Sequence, residues 1–163
     1  MRVIPGLAIG VLAWAGAAVS QAQDTSTVMC EQFGISGATR SVVPVTQFGE
    51  DFSPAHHAPR NIPIEVTLSG DVVEYIHFPI VEDGTYLVYT SEPDRLVSLK
   101  MKNGDVIAST EVAAAEACAD VLKGGLTADI EAGTLKGPLP IAIELAAGEA
   151  GTLKLIVSRN PIN

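Results

Sequence analysis

Apolar and polar residues alternate along most of this chain, which is the periodicity of a β-strand with one buried face. Large apolar residues occupy every second position from Ile62 to Leu68 and from Ile76 to Ile80. In the second segment the alternation turns Tyr75 and His77 to the opposite, solvated face. Comparable strand signals recur at residues 85–90, 96–101, 106–110, 127–133, 139–145 and 152–158.

Short turn sequences separate these segments and predict hairpins. The turns are residues 82–84 (EDG), 103–104 (NG) and 146–151 (AAGEAG). Seven to nine short strands at this spacing predict an all-β fold, an antiparallel β-sandwich of jelly-roll or immunoglobulin-like type. The alanine-rich residues 111–125 (EVAAAEACADVLKGG) predict one short insertion near 111–123. This insertion is either a helix that ends at the two glycines or a loop held by Cys118.

The N-terminus has the pattern of a secretory signal peptide. Arg2 precedes an apolar run from Val3 to Val19, which is shorter than the ~20 residues of a membrane-spanning helix. Ser20 and Ala22 form a plausible cleavage site. We therefore expect a signal peptide at 1–22, a polar, loosely ordered lead-in at 23–41 and a single β-sandwich domain at 42–163. The mature protein would be secreted or periplasmic, without a membrane span; an uncleaved N-terminal anchor is the alternative.

The cysteines and the net charge indicate further properties of the expected mature chain, residues 23–163. Cys30 and Cys118 are the only cysteines, and an oxidising compartment favours a disulfide between them. Their spacing is unlike C-x-x-C, which argues against the rival reading as a metal or redox pair. Without residues 1–22 the chain keeps nine basic and nineteen acidic residues, a net charge of −10. This charge argues against nucleic acid or anionic lipid as partners.

A proline-rich segment, residues 53–66 (SPAHHAPRNIPIEV), places two of the three histidines side by side. Rigid loops lose little entropy when a partner binds them, so residues 48–62 are predicted to form a binding loop. The predicted contact residues are His56, His57, Arg60, Asn61 and Tyr75. A well-packed crossover between two strands is the alternative interpretation.

The same histidines suggest a metal site. If the loop folds over the strand at 74–80, His56 or His57 meets His77, and Glu74, Asp51 or Glu50 adds an oxygen ligand. Two imidazoles and a carboxylate suit zinc or copper. No fixed-spacing metal motif is present, so surface histidines without a metal remain the alternative.

Calcium is a second candidate ion, because residues 81–85 (VEDGT) and 49–53 (GEDFS) carry paired acids on loops. Neither segment matches an EF-hand loop, and turn formation explains the first equally well. No other cofactor is predicted.

Signatures of common catalytic sites are missing from the sequence. There is no G-x-S-x-G motif and no glycine-rich phosphate loop, and the disulfide would leave no free thiolate. The single tryptophan, Trp14, lies in the signal peptide, which weakens the case for an aromatic-lined sugar cleft. We therefore expect no catalytic activity.

From Asp71 to Arg159 the chain resembles the bacterial pre-peptidase C-terminal type of secreted β-sandwich domain. The resemblance rests on DVVEYIHFPI, EDGTYLVYT, DRLVSLKMKNGDVIAST, the turn EAGT and the last strand TLKLIVSR. The chain departs from the pattern where EAGT continues into LKGPLP instead of an aromatic strand. The resemblance implies a non-catalytic module that accompanies secreted enzymes and binds a surface or substrate, sometimes with calcium.

These observations lead to one expected function and two alternatives. The expected protein is a secreted or periplasmic binding or accessory β-sandwich whose partner is a protein or an envelope or matrix component. The first alternative is a periplasmic protein that binds copper, zinc or calcium. The second is an accessory domain of a hydrolase, or a hydrolase itself.

Overall fold

The computed structural model describes residues 27–33, 40–49, 56, 58–113, 118–132 and 139–160. Residues 27–33 form a helix, α1, and Pro93–Arg95 form a single 3-10 turn. The strands within the described residues are β1 (Arg40–Val42), β2 (Ile64–Leu68), β3 (Glu74–Ile80), β4 (Gly84–Thr90), β5 (Leu96–Met101), β6 (Val106–Ile107), β7 (Thr110–Ala113), β8 (Gly124–Ile130), β9 (Leu139–Leu145) and β10 (Gly151–Asn160).

Two sheets pack face to face. The six-stranded sheet has the order β1-β2-β10-β4-β8-β7, and the four-stranded sheet has the order β3-β9-β5-β6. Neighbouring strands pair antiparallel, except β1 and β2, which pair in parallel. The predicted β-sandwich is confirmed.

The alternation in the sequence builds the layer between the sheets. In β2, Ile64, Val66 and Leu68 are at most 3 % exposed, whereas Thr67 on the other face is exposed. In β9, the side chains of Ile141, Ile143 and Leu145 are completely buried in the same cluster. Each such side chain contributes about 1.5–3 kcal/mol through the removal of its surface from water, so this layer provides most of the hydrophobic stabilisation.

The six-stranded sheet is covered on its outer face as well. Leu87, Tyr89 and Ile156 point away from the central layer and form a second apolar cluster with Met29 of α1 and Leu122. The predicted Cys30–Cys118 disulfide is present and joins α1 to the loop before β8. We call this assembly of α1, the disulfide and residues 118–122 the covalent cover.

Two connections predicted as hairpins are corrected by the topology. Residues 82–84 and 146–150 each lead from the four-stranded sheet to the six-stranded sheet, since β3 and β9 belong to one sheet and β4 and β10 to the other. Turn residues specify a reversal of the chain but not the sheet that receives the next strand. The Asn103-Gly104 hairpin is confirmed: Gly104 has φ +93°, and its N–H donates to the carbonyl of Met101.

The predicted strand at 106–110 and the insertion near 111–123 also differ from the expectation. Residues 106–107 end the four-stranded sheet as β6, and the chain then enters the six-stranded sheet as β7. Thr110–Ala113 is therefore a strand, and Gly124 and Gly125 begin β8 instead of ending a helix. Residues 118–121 form turns held by the disulfide of Cys118, which agrees with the prediction of a loop at this position.

The expected N-terminal lead-in contains regular structure. Residues 27–33 are helical and bury Met29, and β1 begins at Arg40. The expected signal peptide lies outside the described residues, and secretion stays a prediction. Within the described ranges, no helix combines the length and the apolar character needed to cross a bilayer.

Candidate functional site

The residues predicted for one binding loop are distributed over different faces of the sandwich. Asn61 adopts φ +58°, donates its N–H to Val157, and lies beside Ser158 on the outer face of the six-stranded sheet. Tyr75 lies on the outer face of the four-stranded sheet, where its ring contacts Phe48. These two predicted contact residues therefore belong to opposite sides of the molecule.

The other predicted loop residues have local partners. His56 donates from Nδ1 to the carbonyl of Val43, so these two residues lie next to each other. Arg60 is exposed and lies 3.9 Å from a carboxylate oxygen of Glu82. His57 lies outside the described residues.

Val45 and Ala58 cover the free edge of β3. Val45 exchanges two backbone hydrogen bonds with Tyr75, and the N–H of Ala58 donates to the carbonyl of His77. The side chain of His77 is completely buried, so the expectation of a solvated His77 is wrong. These contacts agree with the alternative interpretation of a packed crossover between two strands. They also cover an edge strand, which would otherwise be open to pairing with another chain.

The described residues do not assemble the predicted metal site. Among them, no group of three or more potential ligands comes together. Glu74 accepts hydrogen bonds from the backbone and hydroxyl of Ser69, and in β3 it faces away from the side on which His77 lies. His57, Glu50 and Asp51 lie outside the described residues, so a histidine-based site remains a prediction.

The acids proposed for calcium at residues 81–85 have structural partners. Asp83 accepts a hydrogen bond from the N–H of Ala132 at 2.6 Å. Glu82 pairs with the guanidinium of Arg159, which also donates to the carbonyl of Asp83. These contacts fix the connection between β3 and β4. Apart from Gly49, the second calcium candidate, residues 49–53, lies outside the described residues.

One polar cluster stands out on the outer face of the four-stranded sheet, and we call it the aromatic–ionic cluster. Glu144 of β9 lies at its centre and accepts hydrogen bonds from Ser98 at 2.5 Å, Lys100 at 2.8 Å and Tyr75 at 3.5 Å. The strand order explains this meeting, because β9 lies between β3 and β5. Residues that are paired across neighbouring strands point to the same face.

Two aromatic rings complete the cluster. Phe48 and Tyr75 pack edge to face, with ring centroids 5.4 Å apart. The ammonium of Lys100 lies 5.9 Å from the centroid of Phe48 and 5.8 Å from that of Tyr75, which is within the range of a cation–π interaction. Only 20 % of the Lys100 side chain and 14 % of the Glu144 side chain are exposed.

The cluster keeps its two charges fixed near neutral pH. Burial by itself would raise the pKa of Glu144, but hydrogen bonds from Lys100 and Ser98 outweigh it and lower the pKa. The hydrogen bond to Glu144 raises the pKa of Lys100. Both shifts favour the charged forms, so Lys100 and Glu144 form an ion pair at neutral pH.

Exposed apolar side chains lie beside this cluster. Val106 of β6 pairs with Lys100 of β5, so both point to the outer face, and Val106 is 65 % exposed. Val97 is 53 % exposed at the irregularity in the pairing of β5 with β9. Aromatic, apolar and pre-paired charged groups thus adjoin on one face.

Of the five residues of the aromatic–ionic cluster, Tyr75 was predicted as a contact residue and Phe48 lies in the predicted binding loop at 48–62. The other members were not predicted: Ser98, Lys100 and Glu144. The alternation in 96–101 and 139–145 places Ser98, Lys100 and Glu144 on polar faces, but their meeting depends on the order β3-β9-β5. That order joins segments far apart in the chain, and no local pattern specifies it.

Comparison with models of protein families gives no match, and comparison with curated proteins gives none either.

Proposed function

We propose that this protein is a non-catalytic binding protein that acts outside the cytoplasm, in an extracytoplasmic assembly or on an envelope component. Its partner contacts the outer face of the four-stranded sheet, around the aromatic–ionic cluster and Val106. The observation that carries this proposal is the adjacency of two aromatic rings, a pre-formed ion pair and a valine that is 65 % exposed.

The composition of this face suits recognition of a protein. Aromatic residues are enriched in protein interfaces, while charged residues are depleted at their centres. Here the charges of Lys100 and Glu144 already neutralise each other, so a partner does not leave either one buried and unpaired. The hydrogen bonds also fix these side chains before binding, which lowers the entropy lost in the complex.

Three further observations support action outside the cytoplasm. The Cys30–Cys118 disulfide is typical of proteins in oxidising compartments. The N-terminal sequence has the features of an export signal, and the resemblance to pre-peptidase C-terminal domains suggests a partner among secreted enzymes or their substrates.

The proposal is tested by a charge placed at the centre of the face. Tagged wild-type protein and the variant Val106→Glu are produced in the native cells, and bound proteins are cross-linked, captured and identified. We expect recovery of the principal partner to fall by about tenfold or more, because burial of the added carboxylate beneath the partner costs at least about 1.4 kcal/mol.

The matched control is Val81→Glu. Val81 is 60 % exposed, nearly as much as Val106, but lies in the connection between β3 and β4. Equal recovery of the same partner with wild type and Val106→Glu contradicts the proposed surface, as does an equal loss with both variants.

A further inference from the structure

A cavity of about 270 Å³ lies at one end of the sandwich and is separate from the aromatic–ionic cluster. It lies where β2 ends, where the chain passes from β4 to β5, and where β10 begins. Its lining consists of Leu68, Glu92, Arg95, Glu149, Ala150 and Gly151.

Arg95 forms part of the wall of this cavity, and two nitrogens of its guanidinium lie buried behind that wall. These atoms, Nε and Nη2, have no hydrogen-bond partner among the described residues. No ion pair found among the described residues includes Arg95. A buried N–H without an acceptor costs about 1–3 kcal/mol, and more when the group is charged, so a group that supplies acceptors binds here favourably.

Backbone hydrogen bonds hold the main chain of Arg95 beside the cavity. The N–H of Arg95 donates to the carbonyl of Glu92, and its own carbonyl accepts from the N–H of Ala146. A Cβ on Gly148 would lie 1.5 Å from Nη1 of Arg95, so only glycine leaves room for the guanidinium in this position. Nη1 therefore lies close to the connection between β9 and β10.

The Nε–Nη2 edge of the Arg95 guanidinium is suited to binding a carboxylate. Nε and Nη2 lie along one edge of the planar guanidinium, and their N–H groups together form a fork that binds the two oxygens of a carboxylate. Glu92 and Glu149 line the same cavity and provide acceptors for an ammonium group. Leu68 and Ala150 supply an apolar wall.

We propose that this cavity binds a small zwitterion, a free amino acid or the equivalent end of a short peptide. The ligand carboxylate pairs with the Nε–Nη2 edge of Arg95, and its ammonium faces Glu92 and Glu149. Binding requires the guanidinium to turn this edge towards the cavity. The volume of about 270 Å³ matches such ligands, since sites for larger organic molecules extend to about 1,000 Å³.

The test uses the purified mature protein and measures its thermal midpoint and the heat of binding with each proteinogenic L-amino acid at millimolar concentration. At least one amino acid should raise the midpoint. Its amide, which lacks the carboxylate, and its N-acetyl derivative, which lacks the ammonium, should each bind at least about tenfold more weakly.

Variants separate ligand binding from a structural role of Arg95. Arg95→Gln and Gly148→Ala should both abolish the ligand-induced shift, the first by removing the fork and the second by displacing it. Neither should lower the midpoint of the empty protein by as much as the ligand raises that of the wild type, because the described residues give the Nε–Nη2 edge no partner that the variants would remove. Arg40→Gln, an exposed site on β1, is the control and should bind normally.

Three results overturn the proposal. These are the absence of binding by every amino acid to a cooperatively folded wild type, binding that persists in Arg95→Gln, and equal binding of acetate and the parent amino acid. Each of them leaves the proposed partner surface around Val106 untouched, because that surface is tested by capture of a protein.

Discussion

Removal of the Cys30–Cys118 disulfide provides the most quantitative test of how the covalent cover is held. The bond joins α1 to the loop that packs over Leu87, Tyr89 and Ile156, and the two cysteines are 88 residues apart. The perturbation is the double variant Cys30→Ala, Cys118→Ala, which removes the cross-link without introducing a buried hydroxyl group.

The expected loss follows from the length of the closed loop. With a sequence separation of 88 residues, the chain-entropy relation gives about 4.6 kcal/mol at 25 °C. Residual structure in the unfolded chain reduces such values, and native disulfides typically contribute about 2–4 kcal/mol. We therefore expect the free energy of unfolding to fall by about 3 kcal/mol.

Urea unfolding followed by far-ultraviolet circular dichroism measures this difference. The wild type unfolded in the presence of a reductant serves as the control and should unfold at the same urea concentration as the double variant. A loss below about 1 kcal/mol would refute the reasoning, because it would mean that the unfolded chain gains little freedom when the bond is removed.

Two further predictions concern the cluster and the sheet. The pKa of Glu144 is lowered in the folded protein, so its charge stabilises the fold above its ordinary pKa of 4.5, and this contribution is lost as the pH falls through the folded-state pKa. Glu144→Gln should therefore destabilise the protein near neutral pH and much less in strong acid. Urea unfolding at several pH values measures this difference, and an equal loss at all pH values would contradict the ionic role. Gly125→Ala should lower the free energy of unfolding by more than about 2 kcal/mol, because the added Cβ would lie 2.0 Å from the carbonyl oxygen of Val88. The control Gly151→Ala should change stability little, because its Cβ meets no atom within 4 Å. Similar thermal midpoints for both variants would contradict the close pairing of β4 with β8.

The sequence predicted the fold class because one-sided burial leaves a local signature. Strands β2 and β9 have alternating side chains, and their inward residues form the shared layer. The disulfide was predictable because the N-terminal sequence predicts an oxidising compartment, which favours pairing of the two cysteines of the chain.

The strand pairing was less predictable for physical reasons. Residues 86–90 of β4 are all buried, since one face meets the central layer and the other meets the covalent cover. A strand buried on both faces has no alternation, and a turn such as 82–84 looks the same whether the next strand joins the same sheet or the opposite one. The helix at 27–33 is too short to be stable alone in water, so its formation depends on the docking of Met29.

The candidate sites were the least predictable part of the molecule. Tyr75 could be placed on an outer face from its own strand, but its neighbours Phe48 and Glu144 reach it through contacts between distant segments. The unused fork of Arg95 likewise depends on the close approach of Gly148, which lies far away in the chain. Local patterns predict the direction of a side chain, while partners depend on the order of strands.

The central claim, that the outer face of the four-stranded sheet receives a partner, is tested most directly by site-specific photo-cross-linking in the native cells. A photoreactive amino acid replaces Val106 in one strain and Val81 in another, two positions of nearly equal exposure. Our account predicts one discrete adduct from position 106 and none of the same mass from position 81. No adduct from position 106, or the same adduct from both positions, would contradict it.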